Sequence, residues 1–340
     1  MTIILKISRN SPEKVLVKQA AFIIKEGGLV AFPTETVYGL GADALNAKAV
    51  AKIFEAKGRP ADNPLIAHIA DKKEVYRLAK EVPEEAELLM KEFWPGPLTI
   101  ILKKANIVPD IVTAGLDTVA IRMPCHKVAL ALIKEAKTPI AAPSANLSGK
   151  PSPTDANHVI EDMMGRVDVI IDSGKTDIGV ESTVIDLTVK PPLILRPGGL
   201  PKEDIEKVLK GFGKEEKSEK PKSPGMKYRH YAPSAEVIVV EGDKEKVRKR
   251  AMELIGENKL KAKKVGVMTT TKEHGYDADV VKFIGSTEKE IARKLFKALR
   301  DFDREGIHII IAEGIEEKGI GEAVMNRLRK AAGYNIVEVK

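Results

Sequence analysis

Five short stretches of this 340-residue chain concentrate hydroxyls, amides and cations beside prolines and glycines, a mix suited to gripping anionic ligands. The first is Phe32-Pro33-Thr34-Glu35-Thr36-Val37-Tyr38-Gly39-Leu40-Gly41. Hydroxyls and a carboxylate at a strand end commonly line a ligand crevice. Gly39-x-Gly41 reads as a turn, and Ala44 stands where a dinucleotide fingerprint needs its third glycine. The second, Lys57-Gly58-Arg59-Pro60-Ala61-Asp62-Asn63-Pro64-Leu65-Ile66-Ala67-His68, sets two cations around a helix-ending glycine. Lys57 there also answers the helix dipole. Arg59, held between Gly58 and Pro60, is a restrained cation that can take a phosphate with less loss of freedom. His68 falls in the short strand LIAHI.

The third stretch, Ala142-Pro143-Ser144-Ala145-Asn146-Leu147-Ser148-Gly149-Lys150-Pro151-Ser152-Pro153-Thr154, follows the strand TPIAA and offers donors for phosphates and for a ribose or base edge. Glu181-Ser182-Thr183 opens a strand and Arg196-Pro197-Gly198-Gly199 closes another, while Arg122 ends TVAIRMP. Any one of these suits a structural role. All five at strand ends or in loops point to one site.

Other signals fail. Asp172-Ser173-Gly174-Lys175-Thr176 ends like a phosphate-binding loop, but its first glycine would fall at Val169. Gly319-x-Gly321 lacks a third glycine at Val324. The six histidines form no HxxxH or HExxH pattern, so no dedicated metal site is expected. Ser144 lacks the context of a hydrolase nucleophile. Cys125 is the lone cysteine, which excludes an intramolecular disulfide, and reads as a small, partly buried apolar residue.

The elements that position these residues are short and alternate. Ser11-Pro12-Glu13 predicts a helix N-cap, with Val15, Ala20, Ile23 and Ile24 on its apolar face and Gly27-Gly28 as its stop. Asn46 predicts the cap of a second helix that Gly58 ends. Apolar runs at 29–33, 98–102, 119–123, 138–142, 167–171 and 183–187 predict strands, so residues 1–210 read as one α/β domain. Residues 211–234, rich in Gly, Pro, Ser and alternating charge, read as a linker. Its end, Met226 to Pro233, carries two tyrosines that a spacer does not need, and reads as a segment that docks onto a domain surface. From 235 to 340, strands at 235–242, 264–270, 280–285, 307–314 and 335–340 alternate with helical stretches, which predicts a smaller, parallel, Rossmann-like domain.

Apolar residues make up 43% of the chain, enough for ordinary cores, and no run is long enough for a membrane span. The cytoplasm is the expected location. The net charge of +7 admits a nucleic-acid or polyphosphate partner, but many lysines sit beside glutamates, as in KEEKSEK, as on any solvated surface. Abundant Lys and Glu with a single glutamine, Gln19, suit a hot environment.

Taken in order, FPTETVYGLG, KGRPADNPLIAH, RMP, PSANLSGKPSPT, ESTVID and LRPGG resemble the YrdC-like domain of the threonylcarbamoyl-AMP synthases. The long form of that family continues through a linker into a Rossmann-like domain, so the resemblance spans the chain. It implies a twisted mixed-sheet domain with a concave active site. It also implies a nucleotidyltransferase that makes L-threonylcarbamoyl-AMP and pyrophosphate from L-threonine, bicarbonate and ATP, the first step of N6-threonylcarbamoyladenosine formation in tRNA. By this resemblance Thr36, His68, Arg122 and Ser182 hold threonine, Ala142 contributes backbone, and Thr34 is a secondary member. Lys57, Arg59, Asn63, Thr118, Ser144, Asn146, Ser152, Arg196 and the linker residue Tyr231 form the ATP site, and the linker end at 226–233, crossing the active-site opening as in the family, is expected to act as a lid. Mg²⁺ accompanies ATP, mostly through water. A separate transferase complex takes the product onward, and any tRNA contact is indirect.

Two other readings compete. An RNA-binding module of the same fold would use the basic surface, but aromatics are only 4% and no stacking platform is visible. A carbamoyltransferase of hydrogenase maturation uses a similar domain, but carries Cys-rich zinc modules that one cysteine excludes.

Overall fold

The computed structural model describes residues 1–211, 230–273 and 275–339. These fall into two compact units, the first holding residues 1–148 and those from 152 onward up to 211, the second 149–151 and those from 230 onward. Most of the expected linker, and most of the lid expected at 226–233, lies outside the described residues.

The first unit is built on strands β1 (Ile3–Lys6), β2 (Val30–Phe32), β3 (Gly39–Asp43), β4 (Ile66–His68), β5 (Leu98–Lys103), β6 (Thr118–Arg122), β7 (Ile140–Ala142), β8 (Val169–Asp172), β9 (Thr183–Asp186) and β10 (Leu193–Arg196). They form one ten-stranded sheet in the order β1-β8-β2-β3-β7-β4-β6-β5-β9-β10. The sheet is mixed: β8 runs parallel to β1 and β2, β4 to β6 and β5 to β9, and the remaining pairs are antiparallel. Most of its strand residues are buried, which explains their continuous apolar runs in place of alternation.

Three local expectations need correction. Gly39-x-Gly41 is not a turn but the start of β3. A Cβ on Gly41 would lie 2.6 Å from Ile140 Cγ2 and 2.7 Å from Phe32 Cε1, so glycine here serves close packing in the sheet. The first helix is Lys14–Lys25, with Glu13 at its N-cap position and no side-chain cap bond. Val17, Ala20, Ala21 and Ile24 form its buried face, whereas Val15 is exposed. Cys125, expected to be partly buried, is likewise exposed.

The second helix follows the sequence closely. Asn46 accepts from the backbone N–H groups of Lys48 and Ala49, and Gly58, at φ 60° and ψ 42°, ends Ala47–Lys57 in the left-handed conformation. That stop turns the chain sharply after Lys57 and aims residues 59–65 toward the start of β4.

The second unit has strands β11 (Glu236–Gly242), β12 (Val265–Thr269), β13 (Val280–Phe283), β14 (Ile309–Glu313) and β15 (Ile336–Val339), in the order β13-β12-β14-β11-β15. Every pair is parallel. Helices Lys244–Lys259, Glu288–Arg304 and Gly321–Ala331 alternate with the strands, and Thr287 opens the second of them with a capping box to Glu290. Among the described residues, no helix is long and apolar enough to cross a membrane.

Candidate functional site

Three short strands near the middle of the large sheet set the geometry. Parallel pairing of β4 with β6 puts His68 opposite Arg122 and Ile66 opposite Ala120. Antiparallel pairing of β4 with β7 puts Ile66 opposite Ala142. His68 and Arg122 therefore share one end of these strands. Asn63, Thr118 and Ser144 gather toward the other, just before or just after the paired segments. A strand rises about 3.3 Å per residue, so the two ends of three-residue β4 are about 7 Å apart.

At the first end, Arg122 is 3% exposed, and its Nη2 donates to Glu35 Oε1 at 2.6 Å. Its Nε donates to the Gly96 carbonyl at 3.4 Å. Thr99 pairs with Arg122 across β5 and β6, and its hydroxyl is 2.8 Å from that of Ser182. Arg196 grips Ser182, donating from Nε and Nη2 to the Ser182 carbonyl at 3.1 and 2.9 Å and from Nη2 to its hydroxyl at 3.1 Å. Gly198 allows this approach, since a Cβ there would lie 2.2 Å from the Ser182 carbonyl carbon. Thr34 donates to the Val37 carbonyl at 2.6 Å, which leaves the 2.8 Å contact with Thr36 to be donated by Thr36. Thr34 thereby shapes the turn that presents Glu35 and Thr36.

His68 lies buried beside this cluster, with Nδ1 3.1 Å from the Ile66 carbonyl and its ring edge-on to Phe32. Burial, reinforced by the neighbouring Arg122 charge, pushes its pKa down to about 3. The imidazole is neutral at physiological pH and adds no positive charge to that of Arg122.

At the other end, Lys57 is 3% exposed, and its ammonium donates to the carbonyls of Ser144 and Asn146, each at 2.5 Å. These bonds tie the second helix to the serine-rich loop. Ser144 donates to Asn146 Oδ1 at 2.5 Å, and the Asn146 amide donates to the Leu147 carbonyl at 2.8 Å. Arg59 donates to the Asn63 carbonyl at 2.9 Å and lies 5.9 Å from the Phe54 ring centre. The Asn63 side chain is fully buried, and neither Oδ1 nor Nδ2 has a hydrogen-bond partner among the described residues. An orphaned amide in that position is costly unless a ligand completes it. Ser152, also fully buried, donates to Glu181 Oε1 at 2.6 Å. Thr118 is buried at the start of β6, and Ala142 is buried where β7 ends.

Tyr231 belongs to the second unit, where its ring stacks on Phe296 with centroids 5.2 Å apart and the Arg327 guanidinium lies 5.8 Å from its centre. Three members of the first unit's network were missed as site residues: Glu35, Glu181 and Thr99. Glu35 stood in view as the one acid of the TET run, and Glu181 beside Ser182. Thr99 gave no signal, being a lone hydroxyl in an apolar strand. Among the described residues, no three His, Cys, Asp or Glu side chains converge as a metal site would require.

Buried cations and hydroxyls at both ends of a short central strand give the first unit the chemistry of an α/β domain suited to small ligands that carry anionic groups. Comparison with known proteins is consistent with that class. Residues 22–198 match the family described as Telomere recombination, and 200–333 that described as Threonylcarbamoyl-AMP synthase, C-terminal domain. The chain is 61% identical to a threonylcarbamoyl-AMP synthase of Pyrococcus abyssi, with 100% of each covered. It is 52% identical to one of Bacillus subtilis, covering 98% of this chain and 96% of the relative. The crystal structure of P. abyssi Sua5 complexed with L-threonine superposes with a TM-score of 0.95 at 59% identity, covering 100% of both chains. E. coli YciO superposes at 0.54 with 29% identity, covering 58% of this chain and 96% of that one. The chain belongs to the threonylcarbamoyl-AMP synthase family, in its long two-domain form, as the sequence motifs implied.

Proposed function

We propose that this chain makes L-threonylcarbamoyl-AMP and pyrophosphate from L-threonine, bicarbonate and ATP, acting as a nucleotidyltransferase. The observation that carries this reading is the full-length likeness to P. abyssi Sua5, which was solved with L-threonine. The ammonium group of threonine gives up a proton, and the free amine then takes up bicarbonate with loss of water to become a carbamate. A carbamate oxygen then forms a bond to the α-phosphorus of ATP as the bond to pyrophosphate breaks. No covalent enzyme intermediate is needed; the demands are alignment and charge neutralisation.

The two strand ends suit these demands. Arg122 takes the threonine carboxylate, with Thr36, Ser182 and the neutral His68 about it. Arg59 and Asn63 serve the nucleotide, with Thr118, Ser144, Asn146 and Ser152 completing that side, and Arg196, which binds Ser182 beside the threonine end, joins the nucleotide contacts from there. Lys57 holds the loop carbonyls while placing its charge near the phosphates. Magnesium enters as the counter-ion of ATP, part of the substrate. The product passes to a separate transferase that modifies tRNA, and the setting is the cytoplasm. A binding module without catalysis is not favoured, because it would need no second, carboxylate-directed end.

The test follows pyrophosphate release while threonine and bicarbonate are omitted in turn. Release that needs both, and that falls sharply in Arg59→Ala, is the expected result. Release indifferent to threonine would reject the reading.

A further inference from the structure

A buried guanidinium recognises a carboxylate well only if its orientation is fixed. Arg122 is fixed on two sides, by Glu35 Oε1 at Nη2 and by the Gly96 carbonyl at Nε. Among the described residues its Nη1 makes no hydrogen bond, so one edge of the fork remains uncommitted. Glu35 is itself immobilised. It is 2% exposed, and its Oε2 accepts from the Cys125 backbone N–H at 3.3 Å. Its carbonyl accepts from the N–H groups of Asp177 at 3.1 Å and Ile178 at 2.8 Å. Glu35 is thus held at its carboxylate by one segment of backbone and at its carbonyl by another.

Pairing two charges out of water brings little net stability, and a well-packed apolar pair would often serve as well. The pair is better explained by what it arranges. We infer that Glu35 is the positioning residue for amino-acid recognition, clamping one edge of the Arg122 guanidinium so that Nη1 faces the substrate carboxylate. This rests on the reading of Arg122 as the carboxylate-binding residue. Glu35 also cancels the Arg122 charge. With His68 neutral beside the pair, this part of the site suits a zwitterion, which carries its own cation next to its carboxylate.

The experiment measures threonine and ATP affinities by calorimetry for Glu35→Gln, Arg122→Ala and the double variant, with steady-state kinetics alongside. Losing one charged hydrogen bond weakens threonine about tenfold or more in Glu35→Gln. The ATP affinity stays at its starting value, which also certifies the fold, and the loss appears in KM for threonine more than in kcat. The double variant binds threonine no more weakly than Arg122→Ala, because Glu35 acts only through that arginine. Unchanged or tighter threonine binding in Glu35→Gln overturns the proposal, as do losses that multiply in the double variant. If Arg122→Ala alone leaves threonine binding intact, the reading of Arg122 itself fails, and that single variant reveals it. Should Glu35→Gln not fold, Glu35→Asp, which keeps the charge but shortens the reach, carries the same measurements.

Discussion

Glu313 in the second unit and Asn63 in the first are both buried polar side chains, but their hydrogen bonding is completed differently. In the second unit, Glu313 is 8% exposed and saturated, accepting from the hydroxyls of Thr269, Thr270 and Tyr276 and from the Thr270 backbone N–H. In the first unit, among the described residues, Asn63 is fully buried with both amide atoms orphaned, and Arg122 keeps one uncommitted edge. Ion pairs differ likewise. The Arg122–Glu35 pair has side-chain exposures of 4% and 3%, whereas Arg329 pairs with Glu241 at exposures of 25% and 18%. A closed network supports a fold; an open one awaits a ligand.

Mutations that break this contrast should separate the two roles. The largest effect is expected for Arg122→Ala: threonine-dependent pyrophosphate release drops about a hundredfold or more, as for loss of a buried charge partner. Glu313→Ala should lower unfolding stability by about 2 kcal/mol or more through orphaned donors, with pyrophosphate release per folded molecule unchanged. Chemical denaturation and turnover read the two halves of that claim. Asn63→Ala should do the reverse, raising KM for ATP about tenfold without lowering Tm, because the amide removed had no partner to lose. A clear fall in Tm there would show that Asn63 is structural.

His68 sharpens the contrast through pH. Its pKa of about 3 in the fold lies below the ordinary 6.5, so between these values the unfolded chain takes up a proton that the folded one refuses. The stability that follows is complete above pH 6.5 and is lost as pH falls toward 3. His68→Asn should flatten that acid slope in a Tm series. The smallest effect is expected for Arg329→Ala, about 1 kcal/mol or less, since its pairs are partly solvated and screened.

Local chemistry was the legible part of the chain. Asn46 and Gly58 announced the ends of one helix, because caps and left-handed stops depend on a few adjacent atoms. The five parallel strands of the second unit were readable from β-branched runs set between helical stretches. The helix at Lys14–Lys25 was readable in existence and, through Ala20 and Ile24, in part of its face, but Val15 and Val17 are equally apolar and only the neighbouring helix Lys127–Ala136 and the sheet select between them. Gly39-x-Gly41 misled because glycine signals a turn locally, whereas here it answers crowding by Phe32 and Ile140 from other strands.

The site divides in the same way. By itself, the sequence determined which side chains were available: restrained cations, strand-end hydroxyls and an acid between two threonines, in an order that marks the family. Only the tertiary structure decided that Glu35 meets Arg122 across 87 positions, that Ser182 meets Arg196, and that the Asn63 side chain has no partner among the described residues. Those outcomes follow from strand order and register, which depend on contacts far apart along the chain and on how water is excluded among them.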